Sequence, residues 1–342
     1  MMLMDAHVGL ITLYTTMQLG HSGGMIELDL NQIGRFADLL PKLPSVKPFD
    51  FCGEAAGTLF PKQGHPGALS AFFFTTAHQF GFWSLDGTRY NRPMIAQAGG
   101  VDRKGSDFLF FCTQRALNAD PDFFRPEKLV ELSGTDVDKI FHDDNGRNPL
   151  PMWAEHKNII YEYADWFVEQ KTSPEQLLVR ANKARKPLKW FLDQLREIPG
   201  YREDPLQKKS MLLAVILENR PEHFLKVIDP KHAVPIIDYH LQRSALRTGL
   251  VKITDDNLRR KLVSRTQISK ELEGEVRKAT YQAIEKLVEV SGLSVAAIDY
   301  FFFTNRTRCP EMSEPKCEQC PVKAICNRDT TLFQPVFRTT FY

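Results

Sequence analysis

The sequence predicts a mostly α protein: a helical two-lobe core carrying one small β-hairpin and finished by a compact cysteine loop. Three observations predict it. Helical apolar periodicity, marked off by capping residues and stop glycines, recurs along most of the 342 residues. A tight-turn signal, Asp86-Gly87, stands between two short extended runs. Four of the six cysteines, Cys309, Cys317, Cys320 and Cys326, gather in the last fifth with the spacing C-x7-C-x2-C-x5-C.

In chain order, Ile26, Leu28, Ile33, Phe36, Leu39 and Leu40 give the segment from Met25 a rough helical stripe, which Pro41 and Pro44 end. The aromatic-rich stretch that follows turns at Gly64-His65-Pro66-Gly67 and continues as a helix to about Gln79. Phe82 to Leu85 and Thr88 to Tyr90 form the hairpin. Ser106 caps a helix with an apolar face in SDFLFFCTQRAL. Short helices are expected in PEKLVELSG and DVDKIFHDDNG, and a longer one in EHKNIIYEYADWFVEQK. Ser173 and Pro174 start a helix running toward Ile198, which Pro187 kinks or divides. Further helices are expected from Pro205 to Asn219, Ile236 to Thr248 with Gly249 as its stop, Ile268 to Val290 with Gly292, and Ser294 to Phe303. Residues 1–24 read as a tail or mis-started segment, 25–170 as an N-terminal lobe with the hairpin, 171–304 as a second helical lobe, and 305–342 as the cysteine loop and C-terminal tail.

Composition is that of an ordinary globular chain, a quarter charged and 43% hydrophobic, with a formal net charge of +2. The charge is unevenly divided: 13 Lys and Arg face 17 Asp and Glu in residues 1–150, against 31 and 25 in 151–342. A basic second half fits a local phosphate-binding face and, as readily, solvated helix faces. No apolar run reaches the length of a membrane span, and the opening residues lack the basic n-region of a signal peptide. Cysteine usage without an export signal predicts a reducing, cytoplasmic setting, and a monomer is expected. The sequence contains no P-loop, dinucleotide fingerprint or serine elbow.

Clustered thiolates select zinc or an iron–sulfur cluster. The order wide gap, two, five, with Pro321 directly after Cys320, differs from the paired pattern of zinc ribbons. It resembles the [4Fe-4S] loop of endonuclease III and its relatives, the helix-hairpin-helix DNA glycosylases, whose first gap is one residue shorter. The resemblance implies a DNA-glycosylase-like fold and a [4Fe-4S] cluster on Cys309, Cys317, Cys320 and Cys326, with a structural zinc as the alternative. Cys52 and Cys112 lie in apolar runs and read as buried small hydrophobes.

Asp238 follows Pro235 at the start of a helix, where unpaired N–H groups and the helix dipole favour a carboxylate; a capping aspartate would look the same. Asp238-Tyr239-His240, then Arg243, Arg247 and Gly249, resembles the D-x-H-x-x-R-x-x-x-R-x-G segment that carries the catalytic aspartate of those glycosylases. Residues from about 48 to 305 also resemble the queuosine salvage proteins, N-glycosylases that release queuine from its nucleotide. The matching pieces are AHQFGFW (77–83), GSDFLFFCTQRAL (105–117), FHDDNG (141–146), LQKKSMLL (206–213) and IIDYHLQ (236–242). That family lacks the cysteine loop. Both resemblances imply hydrolysis of a base–sugar C–N bond, with Asp238 stabilising an oxocarbenium-like transition state and orienting or deprotonating water.

The resemblances also imply the remaining site residues. Lys209 is the candidate for a second catalytic group, although Lys208 and Lys209 match the salvage family's basic position better than a lyase lysine, so a monofunctional enzyme is expected. The base pocket is expected at His78, Gln79, Phe82, Trp83 and Tyr239, since aromatic faces hold a flipped base. Thr76 and Gln79 stand where the salvage family has the Asp and Asn that read queuine. Nucleic-acid contacts are expected at Gly200, Arg202, Lys208, His240 and Arg243, with Gly200 supplying the first glycine of the hairpin and the second one missing. The readings are a DNA glycosylase excising a bulky modified base, such as occurs in phage DNA, a queuosine 5′-phosphate-type hydrolase of a small nucleotide, and a non-catalytic nucleic-acid-binding protein.

Overall fold

The protein is mostly α. The computed structural model describes residues 24–52 and 59–342, so the expected tail over 1–24 lies, apart from Gly24, outside the described residues. The described residues form thirteen helices and six short strands. Strand β1 (Ile26–Leu28) leads into α1 (Leu30–Leu39), and α2 (Ala68–Ala77) precedes two hairpins. These are β2 (Trp83–Asp86) with β3 (Arg89–Pro93), and β4 (Ile95–Ala98) with β5 (Val101–Lys104). Helices α3 (Gly105–Ala119), α4 (Pro126–Leu129), α5 (Gly134–Ile140), α6 (Trp153–Glu169), α7 (Pro174–Lys183), α8 (Pro187–Leu195) and α9 (Lys208–Asn219) follow. The chain continues through α10 (Tyr239–Thr248), β6 (Val251–Ile253), α11 (Asp256–Ser264), α12 (Lys270–Ser291) and α13 (Val295–Asn305) into the cysteine loop.

The sequence-predicted helices form with modest changes, and their causes are local. The first stretch splits, because Ile26–Leu28 pairs antiparallel with Val251–Ile253 and the Asp29 side chain then caps α1 by accepting from Gln32 N. Pro187 divides the expected long helix, and a proline opens each of α7 and α8. The second hairpin was not expected. Gly99 and Gly100 make its turn at positive φ, and the Asp144 carboxylate accepts from both of their N–H groups at 2.8 Å, which gives the FHDDNG segment a structural task. Helix α11 was also missed: only Leu258 and Leu262 of it are buried, too few to write a stripe.

Two hydrophobic cores result. One joins α2 to α9 with the first hairpins, and the other gathers α1, most of α10, α12 and the inner face of the cysteine loop. The start of α10 lies at their seam, since Ile236 and Tyr239 belong to the first core while Ile237 and Leu241 belong to the second. No single helix among the described residues is long and apolar enough to cross a membrane.

Candidate active site

A cavity of about 500 Å³ opens at this seam. Its walls are largely aromatic, with Phe49 stacked on Tyr300 at 4.9 Å and Phe60 edge-on to Phe110 at 4.7 Å. Into this apolar wall are set Asp238, Asp299 and Lys208, with Asp107, His240 and Arg306 alongside. Asp238 is the N-cap of α10 rather than a member of its first turn: its backbone is extended and its side chain accepts from Leu241 N at 2.9 Å. One carboxylate oxygen is thus fixed by the helix end, and Asp238 still faces the cavity.

Buried ionic contacts hold the start of α9 against the segment before α10. Arg277 on α12 donates to both carboxylate oxygens of Asp204, at 2.8 and 3.0 Å, and to the carbonyl of Ile237. Asp204 in turn accepts from Lys208 N at 2.7 Å. One guanidinium therefore sets the spacing between Lys208 and Asp238. The Lys208 side chain is 5% exposed and donates to the Gln79 carbonyl at 3.1 Å. Burial lowers its pKa, against the opposing pull of Asp238, Asp204 and Asp299.

Asp299, on α13, was not singled out from the sequence. It makes no hydrogen bond among the described residues, and it lines the cavity half-buried. Burial, reinforced by the charge of Asp238 and opposed by Lys208, raises its pKa well above the usual carboxylate range. A signal existed: it is the one charged residue in VAAIDYFFF, an otherwise apolar run.

His240 also lines the cavity, and its protonation state is set by a neighbour. Arg243 Nη2 donates to His240 Nδ1 at 3.0 Å, and a guanidinium can only donate, so the ring is neutral with its proton on Nε2. Burial and then Arg243 push its pKa well below the ordinary value.

The structure brings together Asp238, Gln79, Phe82, Tyr239, Lys208 and His240 from the sequence-derived set. The others lie elsewhere. Lys209 points away from the cavity, fully buried, donating to the carbonyls of Ala77 and Thr340. His78 is buried against His156, with their Nδ1 atoms 3.2 Å apart. Trp83 walls a neighbouring 250 Å³ cavity and stacks on Tyr90 at 5.0 Å. Gly200 is packed inside: at φ +91° a Cβ there would lie 2.7 Å from Ala77 Cβ, and its N–H goes to Glu203. It is a close-packing glycine, not an exposed hairpin amide. Arg202 is paired with Glu162 and Glu203 at the surface, and Arg243 is 2% exposed between His240 and Gln334. Arg306 and Arg308, at the end of α13, are cavity residues that the sequence reading did not name.

At the far end of α10, Cys309, Cys317, Cys320 and Cys326 line a second, smaller cavity with Arg247 and Thr248. Three of the sulfurs receive N–H groups: Arg247 Nη1 on Cys309 at 3.4 Å, Asn305 Nδ2 on Cys320 at 3.5 Å, and Arg328 N on Cys326 at 3.3 Å. Among the described residues, no three His, Cys, Asp or Glu side chains gather closely enough to hold a metal ion.

No protein-family model matches the chain, and no curated protein matches it. Among solved structures it is similar to the enzyme in a trapped endonuclease III–DNA covalent intermediate with an estranged adenine. The TM-score is 0.46 at 12% identity, over 88% of this chain and 97% of that one.

Proposed function

We propose that the chain is an N-glycosyl hydrolase, a monofunctional DNA glycosylase that removes a bulky modified base. The observation that carries the reading is Asp238 held at a helix N-terminus in the wall of a large aromatic cavity, with buried Lys208 nearby. A flipped base is held by aromatic faces, and an oxocarbenium-like transition state is stabilised by a carboxylate beside the anomeric carbon. Asp238 takes that role and orients the attacking water. Arg306 and Arg308 at the cavity supply cations for phosphate, and the neutral His240 supplies a fixed N–H donor.

The cysteine loop is read as the holder of a [4Fe-4S] cluster. The four thiols surround one cavity, and those of Cys309, Cys320 and Cys326 receive N–H donors, as cluster-bound thiolates require. The cluster would shape the loop; base hydrolysis involves no electron transfer. Iron and sulfide content of anaerobically purified protein, against zinc content, tests this assignment.

A second reading, hydrolysis of a free nucleotide, is favoured by Gly200, whose buried amide leaves that turn without the donor a hairpin would offer to a DNA phosphate. Base release measured by mass spectrometry on DNA rich in hypermodified bases and on queuosine 5′-phosphate separates the two. Release from DNA with abasic sites supports the glycosylase; release from the monomer alone supports the nucleotide hydrolase; release from neither overturns the N-glycosylase reading.

A further inference from the structure

A carboxylate that assists water is half of what breaking a base–sugar bond requires. The other half is a proton for the departing nitrogen, because an unprotonated base anion is a poor leaving group. The site contains a second carboxyl placed for that task. We propose that Asp299 is the general acid of the reaction, delivering its proton to the leaving base while Asp238 receives one from the attacking water. This inference rests on the N-glycosylase reading.

The geometry carries it. Asp238 caps α10 and Asp299 sits on α13, so two different elements bring two carboxyls into one cavity at the seam of the cores. Their partners differ. Asp238 accepts from Leu241 N at the N-terminus of α10. Asp299 has no hydrogen-bond donor among the described residues and sits half-buried in a largely aromatic wall, which favours its neutral form. A carboxyl whose surroundings keep its proton can act as the acid beside a second carboxyl that meets the water. The charged and titratable groups facing Asp299 are Asp238 on α10 and Lys208 on α9, with Asp107, Tyr239, His240 and Arg306 farther round the wall. Burial and Asp238 hold the proton on; Lys208 acts against them.

The step balances. The C1′–N bond breaks and its electron pair passes to the base, which takes the Asp299 proton. The water oxygen bonds to C1′ and its proton passes to Asp238. The products are a neutral base and a sugar hydroxyl. The new Asp299 carboxylate is then stabilised by the Lys208 ammonium, until one proton returns through solvent from Asp238. Lys208 thus has work as an electrostatic partner, without forming a bond to sugar.

Two measurements on the full chain test the proposal. Infrared difference spectra of wild type against Asp299→Asn should show a protonated carboxyl band at neutral pH that the variant lacks; no such band overturns the assignment. Single-turnover base release is then followed against pH. Wild type should lose rate at alkaline pH as Asp299 ionises. Asp299→Asn should be slower by about 10²-fold or more with that alkaline limb gone, and Asp299→Glu should recover part of both. An Asn variant with the wild-type rate and limb overturns the role, provided thermal melting shows it folded. Wild type that releases no base from any substrate removes the N-glycosylase reading and the acid role with it, while a band in the same sample would show the proton to be present.

Discussion

Helix α10 ends in two cavities, and the two ends treat their polar groups differently. At its C-terminal end Arg247 gives Nε to the Leu332 carbonyl at 2.8 Å and Nη1 to the Pro310 carbonyl at 2.8 Å, and Gln32 Nε2 donates to the carbonyls of Thr248 and Ile325 at 2.6 Å. Every one of these groups is spent on holding the cysteine loop. At its N-terminal end, among the described residues, Asp238 makes one hydrogen bond, to its own helix, and Asp299 makes none. The difference separates a structural junction from a place kept ready for a ligand.

Substitutions at the two ends should therefore fail in different ways. Asp238→Asn should cost about 10³-fold in base release, by analogy with the removal of one transition-state contact, and little stability, because Asn caps helices nearly as well as Asp. Single-turnover assays beside thermal melts check it, and a large fall in melting temperature would erase the contrast. Arg247→Met should do the reverse, losing about 3 kcal/mol by stranding buried carbonyls while the folded fraction keeps its activity. Denaturant titration measures it. Gly249→Ala should cost about 2 kcal/mol, since φ is +83° and a Cβ would run into the Asn327 side chain.

The His78–His156 pair sharpens the comparison by supplying unpartnered atoms without a cavity. Both Nε2 atoms are buried without a hydrogen-bond partner among the described residues. Burial lowers both pKa values, that of His156 to about 3, and His78 is further lowered by His156. Between pH 6.5 and about 3 the unfolded chain binds protons that the folded chain refuses, so stability should fall as pH falls through that window. The slope per histidine is at most about 1.4 kcal/mol per pH unit. Melting temperature against pH should flatten in His156→Gln; an unchanged slope would mean the pair is not the source. Here orphaned polar atoms cost stability.

Much of the fold was legible because helix ends are written in residue types: Ser173-Pro174, Ser294, Gly249 and Gly292 each mark a boundary found in the structure. The second hairpin and α11 were not legible, because strands of four residues and a helix with two buried leucines carry too little periodicity. At the site, Asp238 stood out by the pattern it opens, with His240, Arg243, Arg247 and Gly249 following at fixed spacing. Asp299 did not, because an acid inside an apolar run reads as a tolerated core residue until another element is known to face it. Choosing between Lys208 and Lys209 was beyond a sequence reading, since adjacent helical residues point about 100° apart and only packing decides which one meets the cavity. Gly200 shows the converse, a glycine demanded by the approach of Ala77 and Ile159 rather than by a ligand.

The strand pair Ile26–Leu28 with Val251–Ile253 has a bearing on how the molecule is made. It ties the start of the described chain to a partner more than two hundred residues later, and Phe36 and Leu40 are buried in a core built mostly by side chains of that distant half. During synthesis at about 5–20 residues per second, α1 must wait tens of seconds with its apolar face uncovered. The core that seats Asp238 is therefore among the last parts to close, and a truncated or stalled chain would expose α1 without ever assembling the cavity.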